Sequence, residues 1–192
     1  MTKGPNAIEI RPLTARNWDD LERLFGPRGA CAGCWCMWWR LPRSIWDKQR
    51  GEKNRRAFRK VVASGVPTGV LAYVNNEPVG WCAVAPREDY VRLACSRVLK
   101  PVDDRLVWSV TCFYVARAHR RGGLTEQLLR AAVEYAHQRG GKMVEGYPHD
   151  PRSGEMPDAS AYTGFLSVFR DAGFKEVARR SPRRPIMRKR SE

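Results

Sequence analysis

Six consecutive residues, Arg120-Arg121-Gly122-Gly123-Leu124-Thr125, have the make-up of an anion cradle. The two arginines bring positive charge. The two glycines let the backbone approach a ligand and take conformations that other residues avoid. The flanking segments supply the rest. Leu106 to Val115 (LVWSVTCFYV) is rich in β-branched and aromatic residues and reads as a strand. Leu124 to Arg139 carries Leu124, Leu128, Leu129, Val133 and Ala136 at helical spacing, closed by Gly140-Gly141. A strand, a basic glycine turn and a helix put free N–H groups and a positive dipole end at one point, which is how backbone binds phosphate. The spacings G-x-x-x-x-G-K-[ST] and G-x-G-x-x-G are both absent, which excludes the two commonest nucleotide fingerprints.

A second chemical cluster is Cys31, Cys34 and Cys36, spaced C-x-x-C-x-C. A closed zinc site takes four ligands, and no fourth Cys or His follows at usable spacing. His119, His137 and His149 are remote in sequence, so no metal is expected. Cys82 and Cys112 sit in apolar strand-like runs and read as small core residues; the cysteines are expected to be reduced and packed. Around the triplet, Cys31 to Trp46 holds four of the seven tryptophans. Packed inside they would bury a large area. Trp35, Trp38 and Trp39 would alternatively wall a substrate pocket.

The elements that position these groups follow from periodicity. Ile8 to Ile10 reads as a short strand and Thr14 to Phe25 as a helix with Trp18, Leu21, Leu24 and Phe25 on one face. A basic helix is predicted over Asp47 to Ser64. Val70 to Val74 and Val79 to Val84 form a hairpin around Asn75-Asn76-Glu77-Pro78, residues that tolerate positive φ. Residues 87 to 104 read as a short helix and loop. After the strand–turn–helix come a strand at Lys142 to Tyr147, a polar loop, a helix at Ala159 to Asp171, and two strands near Phe174 to Ala178 and Pro185 to Met187. The helix between Leu106–Val115 and Lys142–Tyr147 implies a right-handed parallel crossover. This is an α/β (α+β) order.

With 192 residues, 43% hydrophobic and 29% charged, the chain is expected to form one domain over residues 1–192, carrying a Cys/Trp-rich insert at about 31–46. No apolar run reaches the ~20 residues of a membrane helix. Met1 to Ile10 shows no charged-then-apolar leader, so the expected location is cytoplasmic. The net charge of +15 draws polyanions. A nucleic-acid-binding role would rest on that charge alone, since no helix-turn-helix, zinc-finger or RRM signature supports it.

Arg120 to Thr125 resembles the [QR]-x-x-G-x-[GA] pyrophosphate motif of the GNAT acetyltransferase superfamily. Arg120 and Gly123 match, and Thr125 replaces the usual small residue. Phe169-Arg170-Asp171-Ala172-Gly173-Phe174 looks like the family's Y-x-x-x-G-F signature, and the order of elements agrees across nearly the whole chain. The resemblance implies a mixed central sheet of about six to seven strands with helices on both faces. It also implies direct acetyl transfer from acetyl-coenzyme A to a primary amine of a small molecule or protein. Arg120, Arg121, Gly122, Gly123, Leu124 and Thr125 would bind the pyrophosphate, and Phe113, Tyr114 and Val115 the pantetheine arm. The family's frequent carboxylate base has no counterpart in Leu106–Val115. Glu145 is the first candidate, with Glu88 and Asp89 second. The tyrosine that protonates the thiolate falls at Phe169, leaving Tyr162, or more weakly Tyr147, to fill that role. A domain that binds acyl-coenzyme A without turnover is the alternative. A monomer or homodimer is expected.

Overall fold

The computed structural model describes residues 7–151 and 161–191. Seven strands form one sheet: β1 (Ile8–Pro12), β2 (Gly69–Val74), β3 (Glu77–Pro86), β4 (Trp108–Val115), β5 (Met143–Gly146), β6 (Lys175–Arg179) and β7 (Pro185–Arg190). Their spatial order is β1-β2-β3-β4-β5-β7-β6. Only β4 and β5 run parallel, joined over the sheet by α5 (Leu124–His137). The hairpin between β2 and β3 turns at Asn75 (φ 50°) and Asn76 (φ 66°), two left-handed residues that match the twist of a tight hairpin.

Alternation along the strands sorts the core onto two faces. Val70, Ala72, Cys82, Val84, Val110 and Phe113 pack beneath α5 and α6 (Leu166–Asp171). Leu71, Tyr73, Trp81 and Ala83 point the other way. They pack beneath α1 (Trp18–Phe25), α3 (Glu52–Ala63) and the Cys/Trp-rich segment. A smaller cluster of Ala85, Tyr90, Leu93, Leu99, Tyr147 and Ile186 joins α4 (Val91–Ala94) to β5 and β7.

Two helices differ from expectation. The basic helix is two helices, α2 (Arg43–Gln49) and α3, separated at Arg50–Gly51, where the Gly51 N–H donates to Gly33 O at 3.0 Å. The helix expected from Ala159 is short. Residues 159 and 160 lie outside the described residues, and regular helix starts at Leu166. Gly164 explains the delay: its φ is +80°, and a Cβ there would stand 3.1 Å from both Phe113 and Phe169. The backbone is turned so that these two rings can meet edge to face at 6.2 Å.

Candidate active site

The parallel pair β4–β5 is short. Trp108, Ser109 and Val110 pair with Val144, Glu145 and Gly146, and there β5 ends. Pro148 follows two residues later and has no N–H to continue a ladder. β4 runs on to Val115 with its far edge on β3. Ala116 N–H donates to Val79 O on β3, and ladder alternation turns the N–H and C=O of Val115 and Phe113 to the opposite edge, where β5 has gone. On that edge Phe113 N–H donates to Tyr162 O at 2.6 Å, and Val115 O accepts from Arg120 Nε at 3.1 Å. The side chains of Phe113 and Tyr114 point to opposite faces, onto Phe169 and onto Phe25 respectively.

Beyond this open edge lies the glycine turn. Arg121 (φ 64°) and Gly123 (φ 76°) are both left-handed, and Gly123 caps α5. Among the described residues, none of the backbone N–H groups of Arg121, Gly122, Gly123, Leu124 and Thr125 has a protein acceptor. A Cβ at Gly123 would meet nothing within 4 Å, and one at Gly122 only His119 O at 3.9 Å. Five aimed donors with open space before them, at the start of a 14-residue helix, fit a diphosphate. The expected residues Phe113, Tyr114, Val115 and Arg120 to Thr125 are therefore contiguous.

Glu145 is not at this edge. It is fully buried, its Oε1 accepting from Arg87 Nη1 at 2.8 Å and from the Tyr147 hydroxyl at 2.7 Å. Its Oε2 accepts from Arg188 Nε at 2.7 Å. Arg87 also donates to Leu99 O at 2.6 Å, and Arg188 to Asp103 at 2.8 Å. The arrangement is a closed ionic brace across β3, β5 and β7. Asp89 pairs with Arg40 at 3.3 Å, and Glu88 is exposed. Phe169 is a core ring against Gly146, where a Cβ would lie 2.1 Å from it.

Tyr162 is half-buried beside the β4 edge. Burial pushes its phenol pKa up, while Arg184 and the Cys112 thiol also act on it. Arg184 donates to Thr163 Oγ1 at 3.2 Å. His149, which spacing alone did not single out as a site residue, completes the group. Its backbone bonds Gly164 O and Leu166 N–H, beside Tyr162 on the approach to α6. Burial, then Arg184 and Arg183, hold its imidazole below the ordinary histidine pKa.

The Cys/Trp-rich segment supplies the wall on the other side. Trp35 is core, stacked near Trp18 and Phe25, with its edge on an open cleft of about 720 Å³ between α1 and α3. That cleft shares no residue with the turn or the β4 edge. Trp38 and Trp39 are half-buried and closer to α4, whose Arg92 N–H donates to Trp39 O at 3.2 Å. Cys36 Sγ accepts from Trp81 Nε1 at 2.9 Å. Cys112 meets the Cys36 thiol, which with burial pushes its own pKa well above the ordinary thiol value. Cys31 is exposed and apart. Among the described residues no group of three His, Cys, Asp or Glu is arranged to hold a metal, and no helix is long and apolar enough to cross a membrane.

Residues 35–153 match the family model described as acetyltransferase (GNAT) family. No curated protein sequence matches the chain. Among solved structures it is similar to a PaiA N-acetyltransferase from Thermoplasma acidophilum in complex with coenzyme A. Identity is 15%, coverage is 96% of this chain and 99% of that one, and the TM-score is 0.53. It is also similar to a GNAT-family acetyltransferase from Listeria monocytogenes, at 9% identity, 99% and 98% coverage and a TM-score of 0.58. A third is yncA from Salmonella typhimurium with its cofactor acetyl-CoA, at 14% identity, 97% and 95% coverage and a TM-score of 0.54.

Proposed function

The chain belongs to the acetyltransferase (GNAT) family, and from that premise we propose that it is a single-domain N-acetyltransferase moving an acetyl group from acetyl-coenzyme A directly to a primary amine. The observation that carries this is the row of five N–H groups, Arg121 to Thr125, without an acceptor among the described residues, opening beside the stretch of β4 that β5 leaves. The coenzyme supplies an acyl group activated as a thioester. The N–H groups of the turn hold its diphosphate, and Arg120 closes the end of β4 over it. The Val115 N–H fixes the extended arm, as a neighbouring strand would.

The proton roles follow from what is free. Glu145 enters as a brace, because both its oxygens are already engaged. His149 is the proposed base. Its imidazole favours the neutral form and its backbone is tied to the Gly164–Leu166 approach to α6, so it is able to take the amine proton directly or through water. Tyr162, whose raised pKa keeps it protonated, is the proposed donor to the leaving thiolate. Calorimetry with coenzyme A, followed by thiol release with acetyl-coenzyme A and a panel of amines, tests the reading. Micromolar binding with thiol release is expected. No coenzyme uptake by folded protein sinks the proposal. Binding without release favours the acyl-coenzyme A-binding alternative, which the core position of Phe169 would suit.

A further inference from the structure

The wall opposite the β4 edge is basic, and its arginines are nearly all accounted for. Arg40 is taken by Asp89 and Pro67 O, Arg43 and Arg50 by Asp47, Arg87 by Glu145, and Arg184 by Thr163. Arg92 differs. Its guanidinium carbon sits over the Trp38 ring, 3.6 Å from the centroid, and Trp38 is edge-on against Trp46 at 4.8 Å. Among the described residues its buried Nη1 has no hydrogen-bond partner and Arg92 makes no ion pair. Next to it, the Trp39 indole N–H is also buried without an acceptor. Burial pushes the Arg92 pKa down, and Tyr162 is the first of the neighbours acting on its charge. A cationic side chain with one buried, unpaired N–H group is costly unless something anionic completes it.

We propose that Arg92 receives a carboxylate of the acceptor, so that the substrate is an amine that also carries a carboxylate: an amino acid with an apolar flank lying along Trp38 and Trp39. This rests on the acetyltransferase reading and deepens it. A guanidinium presents a planar fork of N–H donors that matches the two oxygens of a carboxylate. Stacking on Trp38 orients the fork and leaves its edge for the ligand. The tryptophans supply an apolar surface beside it. Tyr162 joins β4 to this wall: its backbone meets Phe113, its side chain bonds Arg184, and its phenol acts on the charge of Arg92. A polycationic acceptor would meet the charges of Arg92 and Arg184.

The test compares matched amines that differ only in the carboxylate: L-phenylalanine with 2-phenylethylamine, L-tryptophan with tryptamine, and L-leucine with isoamylamine. The full chain is assayed at saturating acetyl-coenzyme A by thiol release. The acids are expected to have a kcat/KM at least about tenfold above their partners, the scale of one charge-assisted pair. Arg92→Met should erase that preference, chiefly through KM of the acids, and Arg92→Lys should restore part of it. Arg97→Met, an exposed neighbour, should leave the ratio unchanged. Arg92→Gln serves if the Met variant does not fold. A preference for the amines without carboxylate, or an unaltered ratio in Arg92→Met, overturns the inference. So does failure of all three acids both to react and to raise the melting temperature of the coenzyme-bound protein. Coenzyme A binding, measured in parallel, separates the two levels. Binding with turnover of simple amines removes this inference alone, while no binding removes the parent reading as well.

Discussion

The two sides of the site are built from different materials. The turn at Arg121 to Thr125 is made of backbone: N–H groups aimed by a helix start, with glycine leaving room. The wall proposed for the acceptor is made of side chains brought from the Cys/Trp-rich segment, α4 and the approach to α6. A backbone site is defined by consecutive residues and survives the loss of most single side chains. A side-chain wall depends on buried partners elsewhere, so one substitution can undo it.

That contrast can be broken where the wall is braced. Glu145→Gln leaves Arg87 and Arg188 inside the protein with part of their charge uncompensated. It should cost about 3 kcal/mol of stability by urea unfolding, toward the low end for a broken buried pair because Asp103 and Leu99 O remain. Were Glu145 the base instead, the variant would keep its stability and lose turnover.

His149→Asn should lower kcat/KM about 100-fold at neutral pH. In the parent protein, burial and the nearby arginines favour the neutral imidazole, so the acid limb of kcat/KM should fall below the ordinary histidine pKa of 6.5. The same linkage acts on stability. At high pH the group is neutral in both states. As pH falls through 6.5 the unfolded chain takes the proton first, and stability declines until the folded pKa is reached. A limb unmoved in His149→Asn would remove His149 from proton transfer.

The turn should answer to backbone and not to side chain. Gly123→Glu puts bulk and negative charge into the space before the five donors and should weaken coenzyme affinity about tenfold or more by calorimetry. Arg121→Gly, at a residue already left-handed, should lose only about two- to fivefold in affinity, the worth of one exposed charge. Its stability should hold or rise by about 0.5 kcal/mol as strain at positive φ is relieved. If Arg121→Gly were the more damaging of the two, the turn would be a side-chain site after all.

The difference in material also decides what was legible beforehand. Arg120 to Thr125 could be read because strand, turn and helix are contiguous and each has its own local signal. The seven-stranded mixed sheet and the Asn75-Asn76 hairpin were legible for the same reason. The helix start at Leu166 was not, because Gly164 answers to Phe113 and Phe169, rings from other elements. Glu145 was the first candidate base because the resemblance asks for a strand carboxylate and Leu106–Val115 has none; its burial in a brace was not legible. Its partners Arg87 and Arg188 lie 58 and 43 residues away, and no spacing rule joins them. Trp35 and Trp38, three residues apart, separate into core and wall through a run of left-handed residues that includes Ala30, Ala32, Trp35 and Cys36. Arg92 gave no signal, since its distinction is the lack of a partner.

The parting of β4 and β5 after Val110 and Gly146 leaves backbone amides at the middle of a sheet facing no strand. Isotope labelling makes this visible. In the unliganded protein the Val115 amide should trade its proton for deuterium far faster than the Tyr114 amide on the β3 side, although the two are covalent neighbours. An occupant of the gap would slow Val115 and leave Tyr114 unchanged. A single residue pair thus records, without any assay of turnover, whether the gap is filled and by how snug a guest.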